Sequence, residues 1–264
     1  MNPFLTKIVL SFFVGGIWIA AATVGAERFG TKLGGFLGGL PSTAAVALFF
    51  IAWTEGGQVA YGATTVFPLA FAVNALFFLS YVLAAKKGPS FGLAAAVLSW
   101  FIAQAVLVVA SPDSFGFALG AWALIVTGAT WLLTGPLHVP ASGRVRHDHP
   151  PLQVLGRAVF GGLMVGVAVA VSRYGGPVWG GVFSTFPAVN ISTLIITSRT
   201  AGASFSRAIV TPLLISSEVN CVAFAVAFRY MIVAFDPFAA LAIAYAAAMM
   251  TGVGTYFFIQ SRLR

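Results

Sequence analysis

From residue 5 to residue 260 the chain is a succession of apolar runs, each close to the twenty or so residues that a helix needs to cross a bilayer. Nine runs can be read, at about 5–26, 33–53, 58–84, 91–111, 114–134, 153–172, 177–198, 204–231 and 238–260. Their connections are short except for one polar stretch from Leu137 to Pro151. That stretch holds Arg144, Arg146, His147, Asp148 and His149 and reads as a solvated linker. The runs are too long, and alternate too little, for the strands of a β-barrel. Charged residues make up only 8% of the chain, about a third of what a soluble domain carries. An ordinary cytosolic enzyme, a disordered chain and a nucleic-acid-binding domain are thereby excluded. The single cysteine, Cys221, excludes a disulfide framework and a Cys-rich metal site. The expected fold class is an all-α polytopic membrane protein with about nine transmembrane helices.

Orientation follows from the basic residues. Arg28, Lys32, Lys86, Lys87, Arg144, Arg146, Arg157, Arg199, Arg207, Arg262 and Arg264 fall on one side of the nine spans, and only Lys7, Arg173 and Arg229 on the other. This bias places the N-terminus outside and the C-terminus in the cytoplasm of an inner (cell) membrane. Glu55, Asp113 and Asp236 then lie on the outer face. The net charge of +8 is thus a topology signal, and no nucleic-acid partner is expected. The first run ends in a cleavage-like Val24, Gly25 and Ala26. More positive charge follows that run than precedes it, so it reads as a span and not as a signal peptide.

The chain also repeats itself. An offset of 146 residues pairs Gly15 and Gly16 with Gly161 and Gly162, Ala22 with Ala168, and Gly30 with Gly176. It further pairs Gly34 and Gly35 with Gly180 and Gly181, Pro41 with Pro187, Leu48 with Leu194, Thr54 with Thr200, and Gly56 with Gly202. Thr65 with Thr211, Val73 and Asn74 with Val219 and Asn220, and Phe78 with Phe224 complete the series. Chance at this composition gives roughly five or six identities over the same stretch, fewer than half those found. The copies start at spans one and six, an odd number of crossings apart, so they enter the membrane in opposite senses. The expected organisation is a first repeat over 1–112, a linking helix and cytoplasmic linker over 113–151, and an inverted second repeat over 152–264. Inverted repeats of this kind characterise secondary transporters.

Spans two and seven are irregular. Gly39, Pro41, Ser42 and Thr43 lie inside the second, and Gly181, Thr185 and Pro187 inside the seventh. A mid-span proline removes a backbone hydrogen bond, and nearby glycine and hydroxyl residues make unwinding easier. Both spans are therefore expected to be broken, with Gly39, Pro41 and Pro187 marking the breaks and half-helix ends near the midplane. Such N-terminal ends favour anionic groups, while the carbonyls beside them suit cations. Asn74 and Asn220 occupy matching places in spans three and eight. Glu218, two residues before Asn220, is the acidic residue placed deepest in the membrane, and its counterpart is Ala72. An intramembrane carboxyl is expensive unless protonated, paired or hydrated, and marks a functional site by default. Asn190, Ser192 and Thr193 make span seven more polar than span two. The expected substrate-binding residues are Glu218, Asn220, Asn74, Asn190, Thr185, Ser192, Thr193, Ser42 and Thr43. Gln104 reads as a structural amide, and His138, His147 and His149 as parts of a solvated loop. Neither a cofactor nor a metal is expected. The spans hold no Ser–Lys dyad, His/Asp cluster or phosphate loop, so no enzymatic activity is expected.

The stretch Gly181 to Pro187, the apolar run after it, and the ending Thr197 to Gly202 resemble the GlpM-type small inner-membrane proteins. Those proteins carry a Gly-x-x-x-x-Phe-Pro turn, an apolar stretch and a Ser-Glu-Arg-Gly-like end. The first half has Gly35 to Pro41 and then Thr54, Glu55 and Gly56, with Leu40 in place of the Phe and no Arg. Members of that family are single short units, some of dual topology. The resemblance implies a tandem of two inverted copies and does not single out a substrate.

Together these features point to a small secondary transporter or permease. It would move a small solute or ion through a midplane site between the repeats, with proton or cation coupling through Glu218 and with Asn74, Asn190 and Asn220 positioning the solute. A passive channel on the same scaffold and a non-transporting component of envelope assembly remain alternatives. The expected partners are the lipid bilayer and the solute itself, with a homo-oligomer left open.

Overall fold

A computed structural model describes residues 3–28, 41–139 and 151–262 of the chain. Gly30, Gly34, Gly35, Gly39, Arg144, Arg146, His147, Asp148 and His149 lie outside the described residues. Among those described there is no strand. The helices are α1 (Pro3–Arg28), α2 (Ser42–Glu55), α3 (Gly57–Ala84), α4 (Pro89–Ala110), α5 (Phe115–Thr134), α6 (Pro151–Gly175), α7 (Pro177–Ser184), α8 (Ala188–Thr200), α9 (Gly202–Ala208), α10 (Val210–Ala234) and α11 (Pro237–Arg262). Eight segments are long and apolar enough to cross a membrane, α7 with α8 counting as one and α9 with α10 as another. The protein is an all-α membrane protein. The shorter α2 is apolar as well.

The helices sort into two layers. The segments containing α3, α7 with α8, and α10 are buried over about two thirds or more of their length, whereas α1, α4, α5, α6 and α11 are buried over a third or less. Every α2 residue from Ser42 to Ala52 is buried. The exposed faces of the outer helices carry large apolar side chains such as Ile17, Leu98, Val109, Leu124, Leu152 and Phe257. In water such faces would drive aggregation, and in lipid they are the solvated surface.

Lipid supplies no hydrophobic drive for helices to associate, so close backbone approach and van der Waals contact must hold the bundle together. The crossing of α1 and α6 shows this. A Cβ on Gly16 would sit 2.9 Å from the Ala158 carbonyl oxygen, and one on Gly162 would run into the carbonyl of Phe12 and the backbone of Gly16. The glycines paired by the offset thus meet each other across one interface. The helix pairs α3 with α10, α3 with α4, and α10 with α11 also pack directly, and α5 lies against both α3 and α10.

Two prolines interrupt the inner helices in the second half. At Pro187 the missing N–H separates α7 from α8, and α7 ends in tighter bonds, from Thr185 N–H to the Val182 carbonyl and from Phe186 N–H to the Phe183 carbonyl. Span eight, expected as one helix, is divided at Ile209 between α9 and α10. Pro212 provides the reason, because it cannot donate to the carbonyl of Ala208. Pro68 sits inside α3 without ending it.

The charged ends of the helices also meet. Arg173 Nη1 lies 3.5 Å from Glu55 Oε1. Lys7 Nζ donates to the Trp53 carbonyl at 3.1 Å. Asp236 Oδ1 accepts from the amides of Phe238 and Ala239 at the start of α11.

Overpacking a tight crossing costs about 1–3 kcal/mol. Gly162→Val is expected to lower the thermal midpoint in detergent by several degrees. Gly128→Ala, where an added Cβ meets nothing within 4 Å, should hold the midpoint or raise it. Equal midpoints for the two variants would show that the α1–α6 approach is not tight in solution.

Candidate functional site

Pro41 and Pro187 adopt nearly the same backbone, with φ −75° and ψ 60° at the first and φ −79° and ψ 45° at the second. Each precedes the first turn of a buried helix, and each accepts one helical bond through its carbonyl, from Ala45 and from Ile191 respectively. The two first turns face a common cavity of about 40 Å³, also lined by Phe71 and Asn74 of α3, Ser184 of α7, Thr185 and Phe186 at the break, and Ser217 and Cys221 of α10. That volume holds about three waters.

The break is held by side chains from other helices. Asn74, wholly buried, donates through Nδ2 to the Thr185 carbonyl at 3.3 Å. Gln104 of α4 donates to the Ala70 carbonyl at 2.8 Å and reaches Thr185 Oγ1 at 3.3 Å. Thr185 Oγ1 in turn donates to the Val182 carbonyl at 2.7 Å. Phe186 is fixed edge-on by Trp100, with ring centres 5.0 Å apart, and by Phe160, at 5.8 Å. These contacts satisfy backbone groups that hydrocarbon could not. They also spend the local acceptors, whereas Asn190, Ser42 and Thr43 make no side-chain hydrogen bond among the described residues.

The structure divides the residues singled out from sequence. Pro41, Ser42, Thr43, Asn74, Thr185, Pro187 and Asn190 line the one cavity. Asn220, though buried, turns toward α11 and accepts from Thr255 Oγ1 at 3.4 Å. Ser192 donates to its own helix at the Val189 carbonyl. Thr193 Oγ1 lies 3.4 Å from Arg157 Nη2 of α6. Gly39 is outside the described residues. Glu218 is wholly buried but faces α5, where Trp122 Nε1 donates to its Oε2 at 3.0 Å. Its Oε1 has no partner among the described residues. Cys221, one turn on, lies within electrostatic range of both Glu218 and Tyr245 of α11.

Gln104, read from sequence as a structural amide, reaches the break from an outer helix. Trp122 was not singled out from sequence and reaches Glu218 from α5. Arg229 reads from sequence as a surface charge, yet it is only 7% exposed. Its Nη1 lies 2.8 Å from the Tyr61 carbonyl, 3.0 Å from Thr64 Oγ1 and 2.9 Å from Thr65 Oγ1. The guanidinium stacks 3.7 Å from the Tyr61 ring centre and 4.5 Å from that of Phe115. A second, larger cavity of about 300 Å³ lies farther along α8, between Tyr81, Ser90, Leu93, Leu194, Ser198 and Arg199. Among the described residues no group of His, Cys, Asp and Glu could hold a metal ion. No family model, curated protein or solved structure matches the chain.

Leaving a buried carbonyl without its donor costs about 1–3 kcal/mol. Asn74→Leu and Gln104→Leu should each destabilise the protein to that extent in thermal or denaturant unfolding. Their double variant should lose less than the sum, because both side chains hold Thr185. Strict additivity would show that the two act on separate structures. Arg229→Lys should cost about 1–2 kcal/mol, since an ammonium can meet the three oxygens around Nη1 but has no planar face to stack on Tyr61 and Phe115. A midpoint equal to that of the parent would show that the guanidinium is not so held.

Proposed function

We propose that the protein is a small secondary transporter of an inner membrane, moving a small solute or ion through the cavity at the two proline breaks. The observation that carries this reading is the meeting of two helix starts, of matching backbone at Pro41 and Pro187, at one cavity lined by Asn74, Asn190 and several hydroxyls. In this reading α2 belongs to the second of nine crossings, and the crossings form two inverted four-span repeats joined by α5. Support comes from the glycines of α1 and α6 meeting at one crossing, and from the corresponding packing of α3 on α4 and of α10 on α11. The ends bearing Lys7, Glu55, Arg173 and Arg229 would face outward. Those bearing Lys86, Lys87, Arg199 and Arg207 would face the cytoplasm. The larger cavity begins at Leu194, four residues beyond Asn190 and so roughly 6 Å along α8. It would serve as the cytoplasmic vestibule. Access would alternate by rocking one repeat against the other.

Glu218 has a coupling role in this scheme. Its carboxyl does not line the cavity, but Ser217 and Cys221 on the same helix do. Gain or loss of its proton would bear on how α10 sits against Trp122, and so on the cavity wall.

Proteoliposomes test the scheme directly. Flux should saturate with solute and respond to an imposed pH gradient, and Glu218→Gln should keep the fold while losing that response. A response unchanged in Glu218→Gln would remove the carboxyl from coupling. An ohmic single-channel current would make the protein a channel. Absence of any flux above empty vesicles would overturn the reading.

A further inference from the structure

We propose that the cavity at the two proline breaks takes one small monovalent anion, of the size of bromide or nitrate, between the N-termini of α2 and α8. This names the substrate class for the transport reading above and rests on it.

The charge argument starts from the helices. The first turn of an α-helix leaves N–H groups without intrahelical acceptors, and its end carries about half a positive charge. Here the two first turns belong to helices of 14 and 13 residues and face the same void. Neither has a side-chain cap, because a proline stands at each cap position. Two such ends together supply about one positive charge, which matches a single negative one.

The side chains supply an independent observation. Asn190 is 8% exposed, Ser42 9% and Thr43 8%. All three line the cavity, and none makes a side-chain hydrogen bond among the described residues. A buried amide or hydroxyl facing a void without a partner is costly unless something occupies the void. Each of these groups has at least one hydrogen to donate.

The backbone carbonyls at the break are already engaged, which leaves Asn190 Oδ1 and the two hydroxyl oxygens as the open acceptors beside the first-turn amides. The Thr185 carbonyl takes the Asn74 amide, and the Val182 carbonyl takes both the Thr185 amide and its hydroxyl. The Gly181 carbonyl takes the Ser184 hydroxyl. Asn74 Oδ1, although unpartnered, is fully enclosed. Glu218 is absent from the lining and turned to Trp122. A cation would therefore meet two positive helix ends and a surplus of donors with no carboxylate. A divalent anion would be poorly matched too, since no Lys or Arg lines the cavity.

The test uses the full chain purified in detergent in sodium gluconate, titrated with sodium bromide and with sodium nitrate. Thermal midpoint and calorimetric heat are the readouts. Saturable binding of bromide or nitrate is expected, with no equivalent effect of added sodium gluconate. Asn190→Ala should weaken binding about tenfold or more, the worth of one hydrogen bond to a charged group. Asn190→Asp, which keeps the shape and adds a negative charge, should abolish it. Each variant must show the parent's midpoint in gluconate, and Thr43→Val is the substitute should either fail to fold. Anomalous scattering from bromide should place it between Pro41 and Pro187. No saturable effect of either anion, an equal effect of sodium gluconate, or binding undiminished in Asn190→Asp would overturn the proposal. Flux of a cation or a neutral solute without anion binding would leave the transport reading standing and this one refuted. Bound bromide without flux would do the reverse.

Discussion

A helix broken inside a bilayer leaves backbone amides and carbonyls that no water can reach, and each must find a partner within the protein. The bond from the Asn74 amide to the Thr185 carbonyl answers that requirement at the centre of the molecule. Around it Gln104 ties α4 to the same turn, and the Trp100 and Phe160 rings hold Phe186 in place. Once the break is fixed, the first turn of α8 can face that of α2 across a small cavity. The inner helices meet at this junction, and the more exposed outer ones surround them.

The two halves have diverged around this junction. The side chains that fasten the second break come from α3, α4 and α6, so the first half and the second both contribute to holding α7 and α8 together. Position 190 carries an amide where its counterpart, Ala44, carries a methyl, and position 218 carries a carboxyl where its counterpart is Ala72. These departures from the sequence repeat place polar groups where the first half has methyls.

Much of this was legible in the sequence, for physical reasons that differ residue by residue. Pro41 and Pro187 act through covalent geometry, so their effect does not depend on what surrounds them. Gly16 and Gly162 act through the lack of a side chain, which membrane packing uses in a limited number of ways. The rotational setting of α10 was not legible. Its faces are all largely apolar, and at 3.6 residues per turn Ser217 and Cys221 share a face while Glu218 and Asn220 are rotated away from it. Trp122 was hidden for another reason, and so were the partners of Gln104, since these contacts span 96 and 81 residues of the chain. Arg229 was hidden because its partners are neutral oxygens and ring faces, which leave no pattern of opposite charge to find.

Trp122 belongs to α5, the helix for which the repeat has no second copy, and its indole holds the carboxyl of Glu218. In the proposed transport cycle that one bond would have to lengthen or bend whenever α10 shifted against α5. Indole emission responds to the field and hydrogen bonding at its nitrogen. Under that proposal the emission of Trp122, isolated by replacing the other five tryptophans, would report the shift at the side chain that holds the Glu218 carboxyl.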